Sequence, residues 1–233
     1  MPSVHGYDYK NKTSQNEKFG RPWVWGINYG YFTGQYLYRW CSSRNQLLLD
    51  DSKGRKALVY FNAGIFFLYT CFVWWRCFEI IAWKKSDFKV MISTVYIAYI
   101  CSYAWIYGYC TFKHYGLLQY YWNQYISFAA GMLRRFNPEG SIVSKQTYRI
   151  LKMQIVFCAV LTALNFVGVI RHPDKNHLLS SLHQNPKAMP IYFRILYAVL
   201  HLNFSTFQWS QFLLYTICGC YYVEMPKILK LLK

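Results

Sequence analysis

The sequence predicts an all-α fold: a polytopic membrane helical bundle of four transmembrane helices plus one amphipathic intracellular helix. Three observations predict it. Four stretches run without a formal charge for about the thickness of a bilayer, those stretches lack the polar stripe of a soluble helix, and the basic residues gather between them. A chain that is 55% hydrophobic, 21% aromatic and 15% charged is also the reverse of a disordered one, which is rich in charge and poor in aromatics.

Residues 1–56 read as a cytosolic region. Met1 to Trp40 holds no apolar core of signal-peptide length, so the first span is expected to act as its own signal anchor. Asn11-Lys12-Thr13 is a glycosylation sequon, which stays unmodified if this region is inside.

The transmembrane domain is read as residues 57–223. A spanning helix needs about 20 mostly apolar residues, each adding about 1.5 Å across a hydrocarbon core of about 30 Å. The first span is 57–75: nineteen uncharged residues lie between Lys56 and Arg76, with only Asn62 and Thr70 polar. A soluble bundle of unusually apolar helices is the alternative, and it would place a polar residue at every third or fourth position. Trp74, Trp75 and Trp83 at the exit suit the headgroup layer, where an apolar ring with one polar tip is favoured. The second span is 90–112, twenty-three uncharged residues. On it Tyr96, Tyr99, Tyr103 and Tyr107 share one face.

His114 to Leu133 is also uncharged, but its pattern is amphipathic. Leu118, Tyr121, Trp122, Tyr125, Phe128 and Met132 recur at helical spacing, with Gln119, Asn123, Gln124 and Ser127 between them. That predicts a helix extending the second span or lying at the interface, rather than a fifth span. Arg134 and Arg135 close it and Asn137-Pro138-Glu139-Gly140 breaks it. The third span is 153–170. The fourth is 195–223, long enough to exceed the membrane by a turn or two and ending near Tyr221 and Tyr222. A basic cytosolic tail, 224–233, follows.

The formal charge of +17 sits in the connections. Fourteen Lys and Arg lie in the twenty residues before the first span, in the connection after the second or in the tail, against eight on the opposite side. Basic residues are retained in the cytosol, so the N-terminus is expected inside. The expected partner of this charge is the lipid bilayer, probed at its anionic headgroups, and not nucleic acid. A plasma-membrane location is expected.

Six of the eight cysteines (Cys71, Cys101, Cys110, Cys158, Cys218 and Cys220) fall in spans, where a thiol is a small buried apolar group. Free thiols are expected, with Cys41 and Cys77 placed for acylation. His172, His177 and His183 do not match a compact ligand set and read as parts of a solvated loop. No phosphate loop, nucleophile elbow or carboxylate pair occurs. No catalysis, cofactor or metal is expected.

Polar residues inside spans are costly and must find partners. Tyr96, Tyr99, Asn165 and His201 all fall in the outer half of the membrane under this topology. They are the candidate contacts of a small organic ligand in a semi-polar aromatic pocket. Interhelical hydrogen bonding is the other use such residues have.

The layout resembles the N-terminal four-helix portion of the arthropod gustatory and odorant receptors. The shared features are the basic approach Arg55-Lys56, the aromatic-rich helices, the intracellular helical stretch from Tyr121-Trp122-Asn123 to Arg134-Arg135, and Met189-Pro190-Ile191 ahead of the fourth span. The resemblance implies a ligand-gated cation channel working as a tetramer, hence a homo- or hetero-oligomer, with this chain as an N-terminal part or truncated product. The family's last-helix signature, Thr-Tyr, five apolar residues, then Gln-Phe, is not reproduced by Thr206-Phe207-Gln208-Trp209-Ser210-Gln211-Phe212, so no pore residue carries over. The alternatives are a small four-span accessory protein and a membrane-embedded transporter or enzyme, the latter having only His201 as a deep ionisable group.

Overall fold

The computed structural model describes residues 21–83, 88–136, 143–175 and 177–230. The Asn11 sequon, Lys84, Lys85, the Asn137–Gly140 break, Asn176 and the last residues of the tail, Lys233 included, lie outside them, as do the side chains of Trp83 and Tyr221. In chain order the elements are α1 (Arg21–Phe32), β1 (Tyr38–Cys41), β2 (Gln46–Leu49), α2 (Lys53–Trp83), α3 (Phe88–Lys113), α4 (Tyr115–Phe136), α5 (Lys145–Arg171), two 3-10 turns (Leu179–Leu182 and Pro186–Ala188) and α6 (Ile191–Leu229). The protein is all-α, with six helices among the described residues and one short hairpin beside them.

Three helices are long and apolar enough to cross a membrane: Lys53–Ala82 of α2, then α3 and α5. Their surfaces say the same, since only 39%, 22% and 11% of the respective apolar windows are buried within the fold. The sequence reading expected four. The fourth window does form a helix, the 39-residue α6, but His201, Asn203, Gln208 and Gln211 dilute it below the apolarity of the other three. The polar side chains in the middle of the helix turn inward. Ser205, Thr206, Ser210 and Gln211 are buried, while Leu196, Val199, Leu200 and Tyr215 are exposed.

The hairpin is an addition to the helical expectation. Tyr38 pairs with Leu49 and Trp40 with Leu47 in an antiparallel register, and Asn45 takes the left-handed conformation in the turn at φ 51°, where Asn is tolerated. Amide side chains of α4 complete one edge of it. Asn123 accepts from Leu47 N at 2.8 Å and donates to Leu47 O at 3.0 Å, and Gln119 donates to that same oxygen at 3.1 Å.

That contact shows what α4 packs on. The expected apolar face is only partly the buried one: Trp122, Tyr125, Ile126, Ala129, Met132 and Leu133 are buried, whereas Tyr121 and Phe128 are exposed. The buried set packs on α1, the hairpin and α6 in one core cluster with Trp23, Tyr36, Leu213 and Ile217. The helix therefore sets part of its apolar side against protein, and Gln119 and Asn123 serve the hairpin.

The described part of the N-terminal segment packs on the bundle. A Cβ at Gly26 would lie 2.9 Å from Leu213 Cδ2 and 3.5 Å from Ile217 Cδ1, so α1 rests directly on α6. The turn after α1 then folds back. Gln35 N and Tyr36 N both donate to Gly30 O, at 2.8 and 3.0 Å. Gly34, at φ 78°, suits the left-handed region without a Cβ penalty, and Asn62 of α2 donates to its carbonyl at 3.0 Å.

Arg55 fastens this turn to the start of α2. Its guanidinium donates to the carbonyls of Tyr31 and Tyr36 and lies 3.9 Å from the centre of the Tyr31 ring, a cation–π geometry. A second core cluster, built from Val59, Phe66, Tyr69, Ala98, Ala104, Phe204 and Phe207, holds α2, α3 and α6 together.

Candidate functional site

The connection between α5 and α6 folds onto the bundle, and this is where the polar candidates meet. α5 ends as His172 N donates to Gly168 O at 2.8 Å. The chain beyond it is pinned by Ser180, which is buried and donates to Pro173 O at 2.6 Å. Leu178 is buried against Val169 of α5 and Ala198 of α6. Arg194, in the first turn of α6, donates to the carbonyls of Met189 and Lys187. Lys187 also forms an ion pair with Asp174 at 3.3 Å.

This folding moves His177 out of the solvated loop in which the sequence reading put it. His172 and His183 are exposed, as expected. His177 instead faces His201 of α6 with ring centres 6.3 Å apart. Its backbone carbonyl accepts from the Tyr69 hydroxyl of α2 at 3.1 Å. Burial pushes His177 down to about 4, with Lys175 adding to the shift. At neutral pH its imidazole is therefore uncharged, with a free lone pair.

His201 stands in an aromatic box. Its ring meets that of Tyr69 edge-on at 5.5 Å and that of Phe204 at 6.1 Å, and Tyr69 stacks on Phe204 at 4.2 Å. Among the described residues no protein group is hydrogen-bonded to either imidazole. The cleft beside His201, bounded by Val169, Leu178, Ser180 and Tyr197, has no room for a water-sized body.

Asn165 takes the other use. Its amide donates to the Ser205 hydroxyl of α6 at 3.3 Å, joining α5 to α6 a little over one turn from His201. Tyr96 and Tyr99 are not brought to this place. They are 63% and 65% exposed on α3, whereas the tyrosines further along the same face are used: Tyr103 stacks on Phe212 at 5.6 Å and Tyr107 meets Tyr215 at 5.4 Å. One face of α3 thus divides into a packed half and an outward half. Spacing alone shows the shared face and not that division.

Two participants escaped the sequence reading. Tyr69 lies inside the first window and looks like one more apolar position, and Phe204 neighbours a polar run that drew the attention. Among the described residues no group of three or more His, Cys, Asp or Glu side chains is close enough to hold a metal ion. All eight cysteines are free. No protein-family model matches the chain, and comparisons with curated proteins and with solved structures return no match.

Proposed function

We propose that the chain is a multi-pass plasma-membrane protein of the chemoreceptor type, with α2, α3, α5 and α6 as four spans and the N-terminal region in the cytosol. One observation carries the four-span reading: α6 turns Ser205, Thr206, Ser210 and Gln211 inward and leaves aliphatic side chains outside. Turned in this way, the polar side chains of α6 face protein and not lipid, which lowers the cost of crossing hydrocarbon.

The receptor assignment rests on the resemblance in layout to the gustatory and odorant receptors. In it a small organic ligand engages the region of Asn165 and His201 and favours one of two arrangements of the helices by its differential affinity. Tyr96 and Tyr99, exposed on α3, join such a site only across an adjoining subunit of a homo- or hetero-oligomer.

The close packing around His201 favours a second reading, a four-span accessory protein that works without a ligand cavity. Expression in a cell line with a calcium indicator, against a panel of tastants and odorants, separates the two. A response whose dose dependence shifts in Asn165→Ala and His201→Phe supports the receptor reading. Membrane-inserted protein with no response, alone or beside a co-expressed channel subunit, supports the accessory one. Recovery of the chain in the soluble fraction without detergent overturns both.

A further inference from the structure

We propose that the outer face of α5 binds one anionic phospholipid of the cytosolic leaflet. Lys145, Arg149 and Lys152 hold its phosphate, and an acyl chain lies along the valines beyond them. The site rests on the membrane-spanning reading of α5 and goes one step past it.

A single stripe carries the assignment. At 3.6 residues per turn, positions 145, 149, 152, 156, 160 and 167 fall within a sector of about 80° on the helix. The first three are Lys145, Arg149 and Lys152, and the others are Val156, Val160 and Val167. All six are exposed. The stripe is thus cationic at its start and aliphatic from Val156 onward, which is the division of a phospholipid molecule.

The lengths fit one leaflet. Val156 to Val167 is a rise of about 16 Å, close to half of a hydrocarbon core of about 30 Å. Lys145 to Lys152 rises about 10 Å, enough for a headgroup layer of about 5–8 Å and its aqueous edge. Anionic lipids are concentrated in the cytosolic leaflet, the side on which this end of α5 lies under the proposed topology.

Nothing in the fold takes up these charges. None of the three cations has an ion pair or a side-chain hydrogen bond among the described residues. Elsewhere on the same side the fold uses its cations: Lys56 pairs with Asp51 at 2.6 Å and Lys227 with Glu224 at 3.0 Å, and Arg55 donates to the Tyr36 carbonyl. Like charges four apart on a helix repel, so an anion bound between Lys145 and Arg149 also removes a cost. An acidic protein surface would match the cations alone. The aliphatic half favours lipid, since only 11% of the apolar window of α5 is buried within the fold.

The experiment is native mass spectrometry of the full chain in detergent, titrated with phosphatidylserine or with phosphatidylcholine. The first phosphatidylserine is expected to bind at least tenfold tighter, each cation contributing about fivefold. The preference should vanish in the Lys145→Gln/Arg149→Gln/Lys152→Gln variant. It should persist in Arg44→Gln/Lys53→Gln/Lys113→Gln, which removes the same charge from exposed positions on the same side. Equal loss in the two variants overturns the site, as does a preference that higher ammonium acetate leaves unchanged in the unsubstituted chain. Displacement of the lipid by equimolar glycerophosphoserine or by a polyglutamate peptide would show anion recognition without the aliphatic half, and overturns it too. A chain that needs detergent but binds both lipids equally sinks this proposal and leaves the membrane reading standing. One that stays dispersed without detergent sinks both.

Discussion

The hydroxyl of Tyr36, in the turn after α1, donates to the backbone carbonyl of Ser210 in the middle of α6. The two residues are 174 positions apart, and both are buried. The N-terminal segment thus reaches past the start of α2 to the central helix of the bundle. The ring of Tyr36 has room for this because residue 30 is glycine: a Cβ there would fall 2.0 Å from Tyr36 Cε2. Gly30→Ala should therefore destabilise by at least the ~1–3 kcal/mol typical of overpacking. Tyr36→Phe, which removes one hydrogen bond and keeps the ring, should cost about 1 kcal/mol. Thermal unfolding in detergent checks both. A Gly30→Ala variant as stable as the parent would show that the turn does not seat in the bundle as described.

A comparable close approach joins α3 to α6. A Cβ on Gly108 would lie 3.0 Å from Phe207 Cζ and 3.3 Å from Gln211 Cδ, with Phe207 itself stacked on Phe66 at 4.5 Å. Gly108→Val should push α3 away and destabilise by about 2 kcal/mol. The same substitution at Gly64, where nothing lies within 4 Å, should be near neutral in detergent. Comparing the two melting temperatures tests the packing and controls for the general effect of a β-branched residue in a helix. Equal shifts would argue against a specific α3–α6 contact.

The helical scaffold was legible because charge-free runs of about a membrane's thickness are rare and have few other uses. The limits of that signal show in α6. Its length was readable, but whether Ser205, Ser210 and Gln211 face lipid or protein depends on neighbours that no local pattern names. The hairpin was invisible for a related reason. Tyr38–Cys41 and Gln46–Leu49 are four residues each, and what completes their edge is Gln119 and Asn123, some seventy positions later. At the candidate site, Asn165 and His201 were found by their polarity within apolar runs. Tyr69 was not, since a tyrosine among phenylalanines carries no such contrast, and His177 was misread because loop composition does not report whether the loop folds inward.

Glu224 ties the start of α5 to the end of α6. Its carboxylate accepts from Ser144 at 2.7 Å, from Thr147, and from Lys227 at 3.0 Å. Ser144 also caps α5 by accepting from Thr147 N at 3.3 Å. Burial works to raise the Glu224 pKa, but the bonds from Thr147, Ser144 and Lys227 outweigh it and bring it below its ordinary value. Removing one donor from a buried acceptor costs about 1–3 kcal/mol, so Thr147→Val should lose about that much. Glu224→Leu removes the charge together with its need for partners and should cost less than the sum of Thr147→Val and Ser144→Ala. Strict additivity across these variants would mean that the three side chains do not act on one carboxylate.

Asp50, between the hairpin and α2, sets a different acid dependence. Tyr31 donates to its Oδ2 at 2.6 Å and Ser52 N to its Oδ1 at 3.2 Å. The Tyr31 bond first, then the Ser52 bonds, hold Asp50 at about 2, while the same contact raises Tyr31. A carboxyl whose pKa is depressed by folding stabilises the fold fully above its unfolded value of about 3.9, and that contribution is lost as the pH falls through about 2. The group is accessible to water, so solvent screening keeps the contribution to no more than about 1 kcal/mol. Tyr31→Phe removes the main cause. In that variant Asp50 should titrate higher, part of the way back to its ordinary value because the Ser52 bonds remain, and the acid limb of stability should move to higher pH by the same interval. Carboxyl-carbon NMR on protein labelled at aspartate and purified in detergent reads the midpoint directly. Finding Asp50 still near 2 after Tyr31→Phe would assign its depression to the Ser52 bonds or, the smallest of the causes, to the charge of Arg39. Raising the salt concentration separates these, since it screens charges at a distance far more than it weakens a direct hydrogen bond: the midpoint should rise only in the second case.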